Sequence, residues 1–151
     1  MKNVLAKKMS LAGSLLLILG LWGCEEYQSS IPYAPVYVYR NIDTEGLNSP
    51  GSYKYITSTN KATEHLGYGG IIIVHAFDEK YYAFDLSCPV EHSRSIRIGK
   101  PIQGLICHCD SCGEDFDLLY GLGTPTKKIS KEALMPYSTK IDANNYITVY
   151  R

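Results

Sequence analysis

The sequence lacks most of the signatures that announce an enzyme. It has no phosphate-binding loop, no dinucleotide fingerprint, no Gly-x-Ser-x-Gly elbow and no assignable pair of catalytic carboxylates. No internal repeat or low-complexity block interrupts it, and no basic run offers a footprint for nucleic acid. Charge of one sign is missing too: 15 basic and 15 acidic side chains cancel over the 151 residues. At 45% hydrophobic the chain is not disordered, and 13 glycines, 7 prolines and 13 tyrosines suit strands and turns better than a coiled coil. Its length is that of one domain.

The first segment reads as an address. Lys2, Lys7 and Lys8 precede the apolar run LAGSLLLILGLWG and then Cys24, the pattern of a secretory signal and too short for a dependable membrane span. Leu21-Trp22-Gly23-Cys24 resembles the lipobox of bacterial lipoproteins. The resemblance implies removal of residues 1–23, lipidation of Cys24, and residence in the bacterial cell envelope on a membrane anchor. Glu25 and Glu26 resemble the surface-export signal of Bacteroidetes lipoproteins, which implies the outer-membrane surface. Without the signal's three lysines the mature chain carries a net −3. Residues 24–34, polar and marked by proline, read as a tether.

From residue 35 onward the sequence is a succession of short alternating or β-branched runs. They cover 36–40, 53–57, 71–77, 81–86, 95–98, 102–107, 116–120, 135–141 and 146–150, with turn chemistry at 77–80 and 142–145. Only 61–66 and 129–134 could form a helical turn or two. This spacing predicts an all-β antiparallel sandwich or barrel. The tyrosines read as half-buried strand residues rather than a sugar-binding surface.

Four cysteines remain for the domain: Cys88, Cys107, Cys109 and Cys112. Cys88-Pro89-Val90-Glu91-His92 follows one strand and Cys109-Asp110-Ser111-Cys112-Gly113 another. Two soft-donor pairs at separate strand tips can close on one metal site, and the Cys-x-x-Cys step lets two sulfurs converge on it. Thiolate and imidazole together select zinc or iron–sulfur chemistry. The predicted donors are Cys88, His92, Cys109 and Cys112. Three thiolates and one imidazole are also an ordinary structural zinc set, and four cysteines in an exported chain could instead pair as disulfides and hold no metal. Cys107 reads as a buried apolar thiol, His108 as a surface residue and His75 as a hydrogen-bonded core histidine. His65 carries no signal, and Glu91 is a hard alternative to His92.

These residues resemble the Rieske domain, as found in Rieske-like lipoproteins of Bacteroidetes. That family's pattern is Cys-x-His, a gap in the mid-teens, then Cys-x-x-His-Gly-x-x-Phe-Asp. Here Cys88-Pro89 is followed, after a sixteen-residue gap from His92, by Cys109-x-x-Cys112-Gly113-x-x-Phe116-Asp117. Gly121-x-Gly123-x-Pro125 resembles the loop that shields the cluster, with Gly123 and Pro125 in the shielding positions. The resemblance covers roughly residues 50–151. It implies an antiparallel sandwich with a small cluster-binding subdomain, a [2Fe–2S] centre, one-electron transfer with a partner redox protein, and no substrate turnover by this chain alone. Two positions depart from the pattern: Val90 stands where the first histidine belongs and Cys112 where the second does. A third thiolate makes the oxidised centre formally −1 and should pull the potential below about −150 to +300 mV, toward about −400 mV. One imidazole in place of two leaves at most one histidine ionisation coupled to reduction. Ser111 occupies a place where some Rieske proteins carry a disulfide cysteine.

Overall fold

A computed structural model describes residues 29–151. The signal, Cys24 and residues 25–28 lie outside the described residues. No helix occurs among the described residues; ten strands, all paired antiparallel, form two sheets. The large sheet runs in the order β2 (Tyr53–Ile56), β4 (Ile71–His75), β5 (Tyr81–Asp85), β9 (Pro136–Ile141), β10 (Tyr146–Tyr150), β1 (Val36–Asn41), β3 (His65–Leu66). The small sheet is β6 (Ile106–His108), β7 (Asp115–Asp117) and β8 (Thr124–Pro125).

The strand β4 explains why the fold needs two layers. Its sequence Ile-Ile-Ile-Val-His is buried throughout, so both of its faces must be covered, because alternate side chains point to opposite sides. Ile71 and Ile73 join Val38, Ile42, Leu47, Ile147 and Val149 inside the curl of the large sheet. Ile72 and Val74 join Phe84, Leu86, Phe116, Leu118 and Leu134 in a second cluster that the small sheet closes. The hairpin β4–β5 is fixed by the turn Phe77–Lys80, where the Ala76 amide donates to the Lys80 carbonyl (2.8 Å) and Glu79 takes a positive φ of 63°. The turn before β10 works the same way, with Asn145 at φ 62° and the Asp142 carboxylate accepting from the Asn144 and Tyr146 amides.

Both short helical turns expected from the sequence are absent. In 61–66, Glu64 is drawn inward to Arg40, with Nη2–Oε2 2.8 Å and Nε–Oε1 2.7 Å, both side chains buried. The following His65–Leu66 pairs with β1. In 129–134 the Leu134 amide, which would help close a first helical turn, donates instead to the Gly123 carbonyl (2.9 Å), and the Ile129 and Ser130 amides donate to a carboxylate described below. The expected strand 95–98 is reduced to the single bridge Ser87–Arg97. The expected 102–107 strand begins only at Ile106, because Gly104 and Leu105 both take the left-handed conformation (φ 73° and 64°) and break the run. Within the expected tether, Ile31 and Ala34 are buried, at 2% and 4% exposure.

Candidate metal centre

The two cysteine-bearing turns meet at one end of the small sheet. Leading out of β5, the Ile98 amide donates to the Leu86 carbonyl (2.8 Å) and the Cys88 amide to the Ile96 carbonyl (3.3 Å), two bonds that guide Cys88 into its turn. The Glu91 and His92 amides both donate to the Cys88 carbonyl at 3.1 Å, which closes the turn; His92 sits at φ 50°. On the facing side β6 and β7 are joined through Cys109–Gly113. There the Cys109 amide donates to the Glu114 carbonyl and the Gly113 amide to the Cys109 carbonyl, each at 2.8 Å. Gly113 has φ 78° with open space where a Cβ would stand. Its glycine therefore serves the backbone conformation and not the fit.

The result is a triangle of sulfur. The Sγ atoms of Cys88, Cys109 and Cys112 all lie within 4.8 Å of one another, with Cys88 and Cys112 at 3.5 Å. Cys88 and Cys109 are fully buried and Cys112 half-buried. Burial pushes the Cys88 and Cys112 thiols up from their ordinary value. Any metal entering must therefore displace protons, and its charge would repay the desolvation of the thiolates. All four described cysteines are free. Cys107 lies in the apolar cluster, fully buried, outside the triangle, its thiol pushed up to about 12 by burial.

His92 is placed differently from the sulfurs. It is exposed, and its ring is not among the donors that share the 4.8 Å group. It lines a cleft with Pro89, Val90, Ile129, Lys131 and Glu132, and its carbonyl accepts from the Tyr68 hydroxyl. Val90 offers no donor and is 36% exposed. His108 lies at the surface, its Nδ1 2.5 Å from the Asp115 carboxylate. His75 is buried, bonded through Nδ1 to the Leu47 carbonyl (2.9 Å) and stacked on Tyr81.

The donor chemistry fits a thiophilic metal: three thiols converge with no oxygen donor in the group. Sulfur–sulfur edges around one tetrahedral ion are about 3.8 Å for metal–sulfur bonds of about 2.3 Å, and the Cys88–Cys112 pair at 3.5 Å lies near that length. A two-iron centre would need one donor beyond these three sulfurs, and no histidine or carboxylate joins the group among the described residues.

Gly123 and Pro125 belong to the third loop. Gly123 is buried at φ 60°, and a Cβ there would meet Phe84 Cε1 at 2.9 Å and Leu134 Cβ at 3.1 Å. Pro125 pairs with Phe116 across β7 and β8. The most consequential residue missed by the sequence reading is Glu114. Its side chain is fully buried, and its carboxylate accepts five backbone amides: Asp115 (3.0 Å), Thr126 (3.1 Å), Lys127 (2.7 Å), Ile129 (2.6 Å) and Ser130 (2.9 Å). Burial alone would raise its pKa, but these donors outweigh it and hold the carboxyl below its usual range. Glu114 thus ties the third loop to the Cys-x-x-Cys turn. A second tie crosses between the cysteine turns, Ser111 Oγ to Glu91 Oε1 at 2.7 Å.

No protein-family profile matches the chain, and no curated protein matches it. Among solved structures it is similar to the ferredoxin of carbazole 1,9a-dioxygenase from Nocardioides aromaticivorans IC177, at TM-score 0.47 and 19% identity over 77% of this chain and 96% of that one. It is also similar to the quaternary ammonium Rieske monooxygenase CntA, at TM-score 0.49 and 19% identity over 78% of this chain and 31% of that one. A third is a chain from the complex of reduced oxygenase and oxidized ferredoxin in carbazole 1,9a-dioxygenase, at TM-score 0.43 and 14% identity over 66% and 90%.

Proposed function

We propose that this chain is a Rieske-like, lipid-anchored metal protein of the bacterial cell envelope that carries single electrons to or from a partner redox protein. One observation carries the reading. Two turns from separate sheets, with their cysteines more than twenty residues apart in sequence, bring the Cys88, Cys109 and Cys112 sulfurs together. On this reading those three residues and His92 hold a [2Fe–2S] cluster, which supplies reversible one-electron chemistry when bound. The protein's part is to fix the thiols, keep Cys88 and Cys109 from water, and leave the half-buried Cys112 edge open to a partner. Gly123 and Pro125 support the loop that limits water access.

A second reading has its own observation. Three thiols converge with no oxygen donor in the group, and one sulfur pair stands 3.5 Å apart, an arrangement that also suits a single structural zinc stapling the two turns. Metal and acid-labile sulfide analysis of the anaerobically purified soluble domain separates the two. Iron and sulfide in equal number support the electron carrier; zinc without sulfide supports the staple. Protein that holds neither metal when purified without chelator overturns both. For an iron-loaded protein, the potential is expected below the usual Rieske range, with no more than one histidine-linked break against pH.

A further inference from the structure

The chain enters the described domain beside the sulfur-bearing turns. The Ser30 amide donates to Glu132 Oε2 (2.9 Å), its hydroxyl to the Pro89 carbonyl (3.4 Å), and Ile31 is buried immediately after. Pro89 is the residue next to Cys88. Cys24 lies only five residues before Ser29, so even a fully extended connection spans no more than about 18 Å. A body of this length has a radius of gyration of about 14 Å and is roughly 35 Å across. β5 runs from the Phe77–Lys80 turn toward Cys88, which sets that turn at the opposite end from the sulfurs. A leash this short cannot stand the domain on its Phe77 end.

The surface at the entry point suits lipid. Residues 127–131 read Lys-Lys-Ile-Ser-Lys; Ile129 is 49% exposed, and Lys127, Lys128 and Lys131 are exposed around it. The Glu114 carboxylate holds this strap rigid through the amides of Lys127, Ile129 and Ser130. Val90, across the cleft, adds a second exposed apolar side chain. Several neighbouring acids are already engaged: Glu132 with the Ser30 amide, Asp115 with Lys127 and His108, Glu91 with Ser111. Asp110 is fully exposed, on the second turn. An apolar tip ringed by lysines is the chemistry that settles at anionic headgroups.

We infer that the mature protein stands on the membrane on its sulfur-bearing end, with Ile129 at headgroup depth and Lys128 and Lys131 against anionic headgroups. This orientation rests on the reading of Cys24 as lipidated. It requires any partner of the site to approach along the membrane plane.

The sole tryptophan of the sequence is Trp22, within the signal, so the mature chain is a dark background for a placed one. The full lipidated chain carrying Ile129→Trp or, as the opposite-end control, Phe77→Trp is reconstituted into vesicles of phosphatidylethanolamine and phosphatidylglycerol with brominated acyl chains. Both positions are exposed, at 49% and 52%, so both variants should fold. The expected result is a clear partial loss of emission for Ile129→Trp, little change for Phe77→Trp, and weaker quenching when Lys128→Glu and Lys131→Glu are added. Vesicle-bound protein in which Ile129→Trp stays bright, or in which Phe77→Trp is the quenched one, overturns the orientation and leaves the anchor standing. Protein that does not float with the vesicles at all removes the anchor, and the orientation with it.

Discussion

The two apolar clusters on either face of β4 start from the same strand and end in different chemistry. On one side Ile71 and Ile73 meet Val38, Leu47, Ile147 and Val149, a hydrocarbon core closed by the large sheet. On the other, Ile72 and Val74 lead through Phe84 and Leu86 into Cys88, Cys107 and Cys109. The first is held by packing between paired strands. The second is finished by carboxylates that grip backbone amides: Glu114 on the third loop, and Asp85 on Tyr68, Gly69 and Ser87 beside the first cysteine turn. The sheet therefore supplies stability, and buried anions supply placement. The two should be separable by mutation.

The sharpest separation is Cys109→Ser. The change is nearly isosteric and leaves the hydrocarbon core untouched, yet it removes one of the two fully buried sulfurs of the triangle. Metal bound per chain should fall to background while far-UV and near-UV spectra keep their folded form. Retention of metal by a folded Cys109→Ser protein would mean that the triangle is not the binding site.

Ile73→Ala breaks the comparison from the other side. Ile73 is fully buried in the cluster without cysteines, and truncation there should cost about 2–5 kcal/mol in urea unfolding. The folded fraction should still bind metal. A variant that stays folded but loses its metal would show that the two clusters are one cooperative site.

Glu114→Gln tests placement by a buried anion. The amide keeps one acceptor oxygen and turns its donors toward amides that cannot accept, so a loss of about 1.5–3 kcal/mol is expected. The pH dependence is the more specific readout. The folded pKa of Glu114 is depressed below its ordinary 4.5, so its contribution is present above that value and is lost as pH falls through the lower, folded pKa. The wild-type urea midpoint should therefore drop in acid more steeply than that of Glu114→Gln. Parallel profiles would assign the acid sensitivity to another group.

Much of this was legible in the sequence, for physical reasons. β10 at 146–150 and the turns at 77–80 and 142–145 declare themselves locally, through alternation and through residues that tolerate left-handed backbone. Cys88, Cys109 and Cys112 could be paired as candidates because soft donors at short spacing have few other uses. Glu114 was not legible: its five partners include amides 12–16 residues downstream, and a glutamate after a glycine carries no sign of that. A similar reach hid the loss of helix at 129–134, where the Leu134 amide goes to the Gly123 carbonyl. His92 lies four residues after Cys88, near enough in sequence to be a candidate donor, but nearness does not specify where a ring points from a left-handed residue in a turn.

The smallest expected effect is also the one that marks where the core stops and the site begins. Cys107 is separated from Cys109 by a single residue and is equally buried, yet its sulfur lies in the apolar cluster and outside the triangle. Its thiol is held protonated by desolvation alone, pushed up to about 12, with no donor or charge arranged to stabilise a thiolate. It should thus act as a small apolar side chain. Cys107→Ala removes one buried heavy atom and should cost about 1 kcal/mol, the scale of a deleted core methyl, with metal content unchanged. Run beside Cys109→Ser, it asks whether two cysteines on one short strand segment differ in kind. Loss of metal from Cys107→Ala would extend the site to a fourth sulfur and shift the boundary between the two regions inward by one side chain.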